Sequence, residues 1–580
     1  MKTKWIAKAA DTDEIKYSWP LLKNSLADCS CVFSGSGLEI APYLPDLSLF
    51  GSYWKAKYRI FMSATVTNDA FLVKGLNLAP DVIRTPLTFT GEKWYGEKMV
   101  LIPSLIDGAL SRSAIISTFA AANNKRKTGV VALVPGTKQA QDWKANGSQV
   151  VDRNSIIAGV KRLREKQFTD TLVISNYYDG IDLPDDTCRL LILDSKPFAN
   201  GLIDTYSDSC RASSEVTSLK LARTIEQGLG RAVRGQKDYC VVLMIGPNLV
   251  RAIRSGKSRL QFSEQTQQQV LMGLIVSEDA KEEIGEGVDP TSVLNMLIRQ
   301  CLGRDEGWKA YYAQEMDKIS VIASEPKLLE VFASELRAEQ SFRDGAYEDA
   351  KRITQELIDA HYTQEDTEDR GWYLQEMACY MLPVSATESN ELQIKAHKKN
   401  KYLLKPQSGF IFEKLVISEK RIAGIKSWAS TFETNQAMIL GAEEIIANLA
   451  FGASANDFEE GLLKLGAALG FASQRPDKEW KEGPDNLWAL SEGEYLLLEA
   501  KNEVESDRQE IYKTETGQMN NSCAWFKKNY PGAKVKNIMI IPTRTVGKAG
   551  GFNDPVQIMQ KKHLKVSATG TTSCGWRYAA

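Results

Sequence analysis

The sequence predicts an α/β multidomain chain: a parallel-sheet domain, then an α-helical spacer, then a second, smaller α/β domain. Three observations carry this. Between Tyr58 and residue 250, short aliphatic runs ending at Ser, Pro, Asp or Gly alternate with longer polar stretches, the pattern of a parallel sheet buried on both faces. From about 265 to 430, long Ala-, Glu-, Leu-, Lys- and Gln-rich stretches replace the strand signals. From 431 onward helix, strand and helix signals return over a block of roughly 150 residues, the size of one domain. The expected boundaries are therefore 1–95, 96–265, 266–430 and 431–580.

Composition limits the function classes. With 580 residues, 43% hydrophobic and 25% charged, the chain is long enough for several buried cores and is neither disordered nor a disulfide scaffold. Its 72 Lys+Arg against 73 Asp+Glu exclude a globally basic coat protein, so a nucleic-acid partner has to be argued from local sites. The nine Cys are scattered, several inside apolar runs such as Cys240-Val-Val-Leu, and read as reduced thiols of a cytoplasmic protein. The basic start is interrupted by Lys8 and by Asp11 to Glu14 before an apolar stretch forms, so neither a signal peptide nor a membrane partner is expected.

In chain order, Arg59 to Met62, Gly129 to Val134, Thr171 to Ser175, Leu190 to Asp194 and Tyr239 to Ile245 are the expected strands of the first sheet. Ligands of such sheets gather at the carboxyl ends of the strands, where the polar punctuation lies. Glu325 to Ser341 and Tyr347 to Ala360 read as helices joined by an Arg343-Asp-Gly345 turn; no second copy recurs at a fixed period, which argues for a spacer over a repeat array. Lys395 to Lys405 reads as a solvated face, with phosphate contact as the alternative. In the last block, 437–449, 457–469 and 518–528 have helical spacing, and 495–500 and 535–541 read as strands.

Three segments carry motor chemistry. Ile60-Phe-Met-Ser63-Ala64-Thr65 is an apolar run delivering Ser-Ala-Thr to a turn; Ser175-Asn-Tyr-Tyr-Asp179-Gly180-Ile181-Asp182 is a strand followed by a polar Gly turn; Gln227-Gly-Leu-Gly230-Arg231-Ala-Val-Arg234 falls at the end of an expected helix. Arg231 and Arg234, three apart, are expected on one helix face, where two guanidinium groups reach the charge developing on a γ-phosphate. Gly230 permits close approach and Gln227 positions phosphate or water; two surface ion pairs are the structural alternative.

In this order the segments resemble the C-terminal motor half of XPD/DinG-like superfamily 2 DNA helicases, whose domain is RecA-like. The resemblance implies that Ser63, Ala64 and Thr65 couple nucleotide state to strand movement, that Asp179, Gly180 and Asp182 lie where nucleotide and nucleic acid meet, and that Gln227, Gly230, Arg231 and Arg234 form the ATP-facing arginine-finger element. Val134-Pro-Gly136-Thr137 occupies the place of the family's strand-contacting loop. The sequence contains no GxxxxGK[ST] loop to cradle phosphates. ATP use is therefore expected only with a missing segment or a separate polypeptide that carries that loop.

A second constellation lies at Pro484-Asp485 followed by Glu499-Ala500-Lys501. Two-residue alternation puts Glu499 and Lys501 on one strand face, and Asp485 comes from a preceding Gly-Pro turn. Two carboxylates beside a lysine suit magnesium-assisted phosphodiester hydrolysis; an acidic hairpin with a surface Glu499–Lys501 ion pair is the alternative. An amphipathic helix from Asp457 precedes the turn, and a polar helix with Glu515, Gln518 and Asn520 follows the strand. This order resembles the PD-(D/E)xK restriction-endonuclease-like nucleases. The resemblance implies Mg2+ (or Mn2+) at Asp485 and Glu499, a catalytic Lys501, Glu459 or Glu460 as the helix acid, and Gln518 as a polar helper. The expected whole is a DNA-processing helicase-nuclease of phage defence or DNA repair; the competing expectation is a pseudo-helicase scaffold that binds DNA without chemistry.

Overall fold

The computed structural model describes residues 12–564 except 13–14, 36, 63–69, 85, 88–93, 153, 177–179, 198–200, 234, 255, 285–286, 320–326, 410–411, 418–419, 433–434, 450, 452–453, 505–507 and 561–562. The chain forms two compact units, Met1–Leu404 and Lys405–Ala580.

The first unit begins with an antiparallel pair, β1 (Cys29–Phe33) and β2 (Leu38–Pro42). Its centre is a six-stranded sheet of β3 (Glu97–Leu101), β4 (Val130–Val134), β5 (Gln149–Val151), β6 (Leu172–Ser175), β7 (Leu190–Asp194) and β8 (Tyr239–Ile245), in the order β3-β8-β7-β4-β6-β5. Every neighbouring pair is parallel. β4 and β7 are buried at every residue because helices cover both faces, which is why they read as uninterrupted apolar runs. The helices are α1 (Arg112–Ala120), α2 (Thr137–Ala145), α3 (Ile156–Arg164), α4 (Leu202–Cys210), α5 (Glu215–Leu229) and α6 (Pro247–Arg254). This is the expected RecA-like arrangement. Connections from β4 and β7 leave toward opposite sides of the sheet, so the crevice between their carboxyl ends is the topological switch point where ligands of such sheets bind.

Two sequence expectations change. Arg59 to Met62 forms no strand: the run is irregular, with Ile60 86% and Met62 90% exposed, since an apolar run becomes a strand only where a sheet edge pairs its backbone. The boundary expected at 265 falls beside α7 (Glu264–Glu283), which together with α8 (Pro290–Leu302) and α9 (Glu306–Met316) packs on the sheet. Met272, Leu294, Trp308 and Tyr312 share one core with Met99 and Val241. A Cβ at Gly273 would lie 2.7 Å from the Val100 carbonyl oxygen, so glycine is what lets α7 lie this close to β3. Beyond them, α10 (Lys327–Arg343), α11 (Tyr347–His361), α12 (Thr367–Met381) and α13 (Ala386–Lys399) form a bundle, whose core also takes Val73, Ile83 and Leu219.

The second unit has the sheet order β13-β12-β11-β10-β9, with β9 (Ala472–Gln474), β10 (Asn486–Ser491), β11 (Glu494–Ala500), β12 (Lys534–Ile540) and β13 (Val556–Met559). The first three pair antiparallel and the last three parallel. Helices α14 (Asn435–Asn448) and α15 (Ala455–Ala468) cover one face and α16 (Lys513–Asn529) the other; α16 is the crossover between parallel β11 and β12. Among the described residues no helix is long and apolar enough to cross a membrane.

Candidate functional site

In the first unit, β6 delivers Ser175 and Asn176 to a loop that resumes at Gly180, whose φ of +78° is a left-handed conformation open to glycine at little cost. Helix α5 stops at Leu229, with Gly230 as its C-cap donating its N–H to the Glu226 and Gly228 carbonyls. Arg231 therefore lies in the turn beyond the helix, which corrects the expectation that it shares a helix face with Arg234. What orients it is the neighbouring loop: its Nη1 donates to the Ile181 carbonyl at 3.0 Å and lies 3.9 Å from Asp182 Oδ1, while the Leu183 N–H donates to the Arg231 carbonyl at 3.1 Å. The Gly180–Asp182 loop and the Gln227–Arg231 turn, 50 residues apart in Arg231–Ile181 spacing, thus form one surface, with Gln227 exposed beside it. Ser63, Ala64, Thr65, Asp179 and Arg234 lie outside the described residues.

Gly136 is the N-cap of α2, so the Val134-Pro-Gly136-Thr137 loop leaves the carboxyl end of β4. Beside it stands a feature that sequence reading missed. Asp194, fully buried at the end of β7, is gripped by Arg112 (Nε to Oδ1 2.6 Å, Nη2 to Oδ2 2.8 Å), by Trp143 Nε1 at 2.8 Å and by the Ser195 hydroxyl at 2.8 Å. The available signal was an acid closing the otherwise apolar run Leu-Leu-Ile-Leu-Asp, since a buried carboxylate requires partners. This knot holds α1 and α2 against the strand ends.

In the second unit, the turn before β10 carries Gly483 at φ +97°, with Trp525 and Pro476 against it, and presents Asp485 to β11. Asp485 Oδ2 accepts the Ala500 N–H at 2.7 Å. Glu499, 3% exposed, accepts the Ser522 hydroxyl from α16 at 2.5 Å. Lys501 Nζ lies 3.3 Å from Glu499 Oε2 and 3.7 Å from Asp485 Oδ2. Burial, then the nearby Asp485 charge, pushes Glu499 up to about 8, against the pull of Lys501 and Ser522. Burial alone would lower Lys501, but Asp485 and Glu499 raise it above the ordinary lysine value, so it stays an ammonium at neutral pH. Asp485, Glu499 and Lys501 thus stand together.

The other two expected residues stand apart. Glu459 and Glu460 both pair with Arg475, Glu460 Oε2 at 3.2 Å from its Nη1 and Glu459 on its Nη2. Arg475 is 2% exposed, and a buried guanidinium captures whatever carboxylates are within reach. Neither glutamate is bonded to the Asp485–Glu499 pair, although Glu459 is close enough that burial and then Asp485 push it up to about 7. Gln518 is exposed one turn before Ser522 on α16; Ser522 makes the contact instead. Arg475, Ser522 and Asp477, whose carboxyl is raised by burial and by Asp485, were missed, and no local pattern marks any of the three.

The donor set suits a hard divalent cation. Two carboxylate oxygens that repel one another, with an ammonium already drawn to them, mark a place where positive charge is stabilising. Among the described residues no group of three or more His, Cys, Asp or Glu is placed to hold a metal ion. Mg2+ keeps several waters and is commonly held by one or two carboxylates.

Residues 138–255 match the family model of the helicase C-terminal domain. The match runs from α2 to α6 and includes the Gly180–Asp182 loop and the Gln227–Arg231 turn. No curated protein matches the chain.

Proposed function

We propose that this protein is a DNA-processing helicase-nuclease: a helicase-type motor half joined to a metal-dependent phosphodiesterase. The contact of Lys501 with both Glu499 and Asp485 carries the nuclease reading. Asp485 and Glu499 would hold Mg2+ or Mn2+, which when bound supplies an acidified water and charge neutralisation at the scissile phosphate. Lys501, charged at neutral pH, faces the same place and orients the water or a phosphate oxygen by donating a hydrogen bond. The Ala500 N–H fixes Asp485 and the Ser522 hydroxyl fixes Glu499, so both acids are preorganised.

In the first unit, Arg231 and Gln227 face nucleotide phosphate in this reading, and the Gly180–Asp182 loop links that surface to the nucleic acid. ATP use requires a phosphate loop from a further segment or a separate polypeptide. The first test is cleavage of single- and double-stranded DNA by the full chain with Mg2+ or Mn2+, comparing Lys501→Ala and an EDTA control, with and without ATP. Metal-dependent cutting lost in Lys501→Ala supports the nuclease reading. No cutting by folded wild-type protein removes it and favours the scaffold reading, in which the motor half binds DNA without chemistry.

A further inference from the structure

The bundle α10–α13, a spacer by sequence, holds an ionic network that joins the segment after one motor element to the start of the helix that precedes another. Lys74 lies in the helical segment Phe71–Gly75, nine residues beyond Thr65. Its Nζ is 2.9 Å from Glu335 Oε2 and 2.7 Å from Glu339 Oε1, both on α10. Glu335 Oε1 accepts the Tyr373 hydroxyl from α12 at 2.7 Å, and that hydroxyl accepts Arg211 Nη2 at 3.4 Å. Arg211 Nε donates to Asp369 Oδ1 at 2.7 Å, which also accepts the Ser214 hydroxyl at 2.8 Å. Ser214 is the N-cap of α5, and the adjacent Ser213 donates its N–H and hydroxyl to Glu368. Gln227 lies in the last turn of α5, and Gly230 and Arg231 follow it in the turn beyond. An unbroken chain of hydrogen bonds therefore runs from the segment after Ser63–Thr65, through α10 and α12, to the start of the helix that ends in the arginine-finger turn.

Apolar side chains of the same volume would hold such an interface at least as firmly, because buried ions lose hydration. What ions add is geometry: each bond admits few orientations, so displacement at one end is felt at the next. We propose that the bundle is the positioning element of the motor half, with Lys74 and Tyr373 as positioning residues that set α5, and Arg231 at its end, against the segment following Ser63–Thr65. This rests on the motor reading of the first unit.

The charged groups facing the network are Lys74, Arg211, Glu335, Glu339, Asp369 and Glu376; the hydroxyls of Tyr43, Tyr362, Tyr373 and Tyr380 and the Cys379 thiol also face it. Burial alone would raise Glu335, but Lys74 and Arg211 hold it below the ordinary value, whereas burial pushes Glu339 and Glu376 up to about 7. Glu339 ionises as pH rises through that value and then grips Lys74 as a carboxylate, so coupling is expected to be stronger at pH 8 than at pH 6.

The test is hydrogen exchange on the full chain with and without a short oligothymidylate. In wild-type protein the oligonucleotide should change exchange both within 172–194 and in α10 and α12, by about threefold or more, and the bundle response should weaken at pH 6. Tyr373→Phe and Lys74→Met should keep the response within 172–194 and lose it in the bundle, and Lys74→Arg should restore it. The pair of variants guards against one of them misfolding. Wild-type response confined to 172–194, or variants that transmit like wild type at both pH values, overturns the proposal. Silence throughout 138–255 overturns the motor reading and the proposal with it.

Discussion

Glu499→Gln should stabilise the metal-free second unit and, on the proposed nuclease reading, abolish cleavage. Glu499 is held at about 8 against an ordinary value of 4.5 by burial and Asp485. An acid whose folded pKa lies above its unfolded one favours the fold while it is protonated. That contribution is complete below about pH 4.5 and is lost as pH rises through about 8. At about 1.4 kcal/mol per unit the full displacement sets a ceiling of roughly 4 to 5 kcal/mol at pH 8. Structural relaxation and water penetration reduce this to about 2 kcal/mol. Glutamine keeps the shape and an acceptor for Ser522 but cannot ionise, so amides of β10 and β11 should exchange about thirtyfold more slowly than wild type at pH 8. At pH 5, where Glu499 is protonated, the two should exchange alike. Mn2+ should protect the same amides in wild type and not in Glu499→Gln, and cleavage should be absent from the variant. Faster exchange in Glu499→Gln at pH 8, or equal Mn2+ protection in both proteins, would refute the reasoning that a strained carboxylate pair awaits a cation.

Three further outcomes follow from the packing. Arg475→Met takes the guanidinium away from partly buried Glu459 and leaves Glu460 only Lys464, and should cost about 2 kcal/mol at pH 8 by urea denaturation; the loss should be smaller at pH 5.5, where Glu459, raised to about 7, is protonated. Gly129→Ala would place a Cβ 1.9 Å from the Thr187 carbonyl oxygen; it should destabilise the first unit by about 3 kcal/mol in thermal unfolding and leave the proposed metal-dependent cleavage unchanged. Asp194→Asn deprives Arg112 of its buried counter-charge and should lower the first unit's melting temperature, with a cost of about 3 kcal/mol; an unchanged melt would show that the Asp194 knot is not what secures α1 and α2.

Much was legible because it depends on neighbours in sequence. Continuous aliphatic runs marked β4, β6, β7 and β8, and alternation anticipated that Lys501, one residue past the end of β11, meets Glu499. β3 was missed because it opens with Glu97 and Lys98, both buried among partners far away in sequence: Glu97 accepts Trp308 Nε1 at 2.7 Å. β5 was missed because three residues carry no measurable period. Arg59 to Met62 has strand composition, but composition cannot supply the sheet edge a strand needs.

The sequence by itself determined which residues could do chemistry: an acid after a Gly-Pro turn, an acid and a lysine two apart, and a Gln-x-x-Gly-Arg turn at a helix end. Only the tertiary structure decided their company. It seats Glu459 and Glu460 on Arg475 and brings Ser522 onto Glu499. It ends α5 before Arg231 and ties that helix, through Arg211 and Tyr373, to a bundle that reads as a spacer. The physical reason is the range of the forces. Backbone periodicity and turn preference act over a few residues and are written locally. Burial, ion pairing and the pKa shifts they cause depend on which distant segments meet, and no window of sequence contains that information.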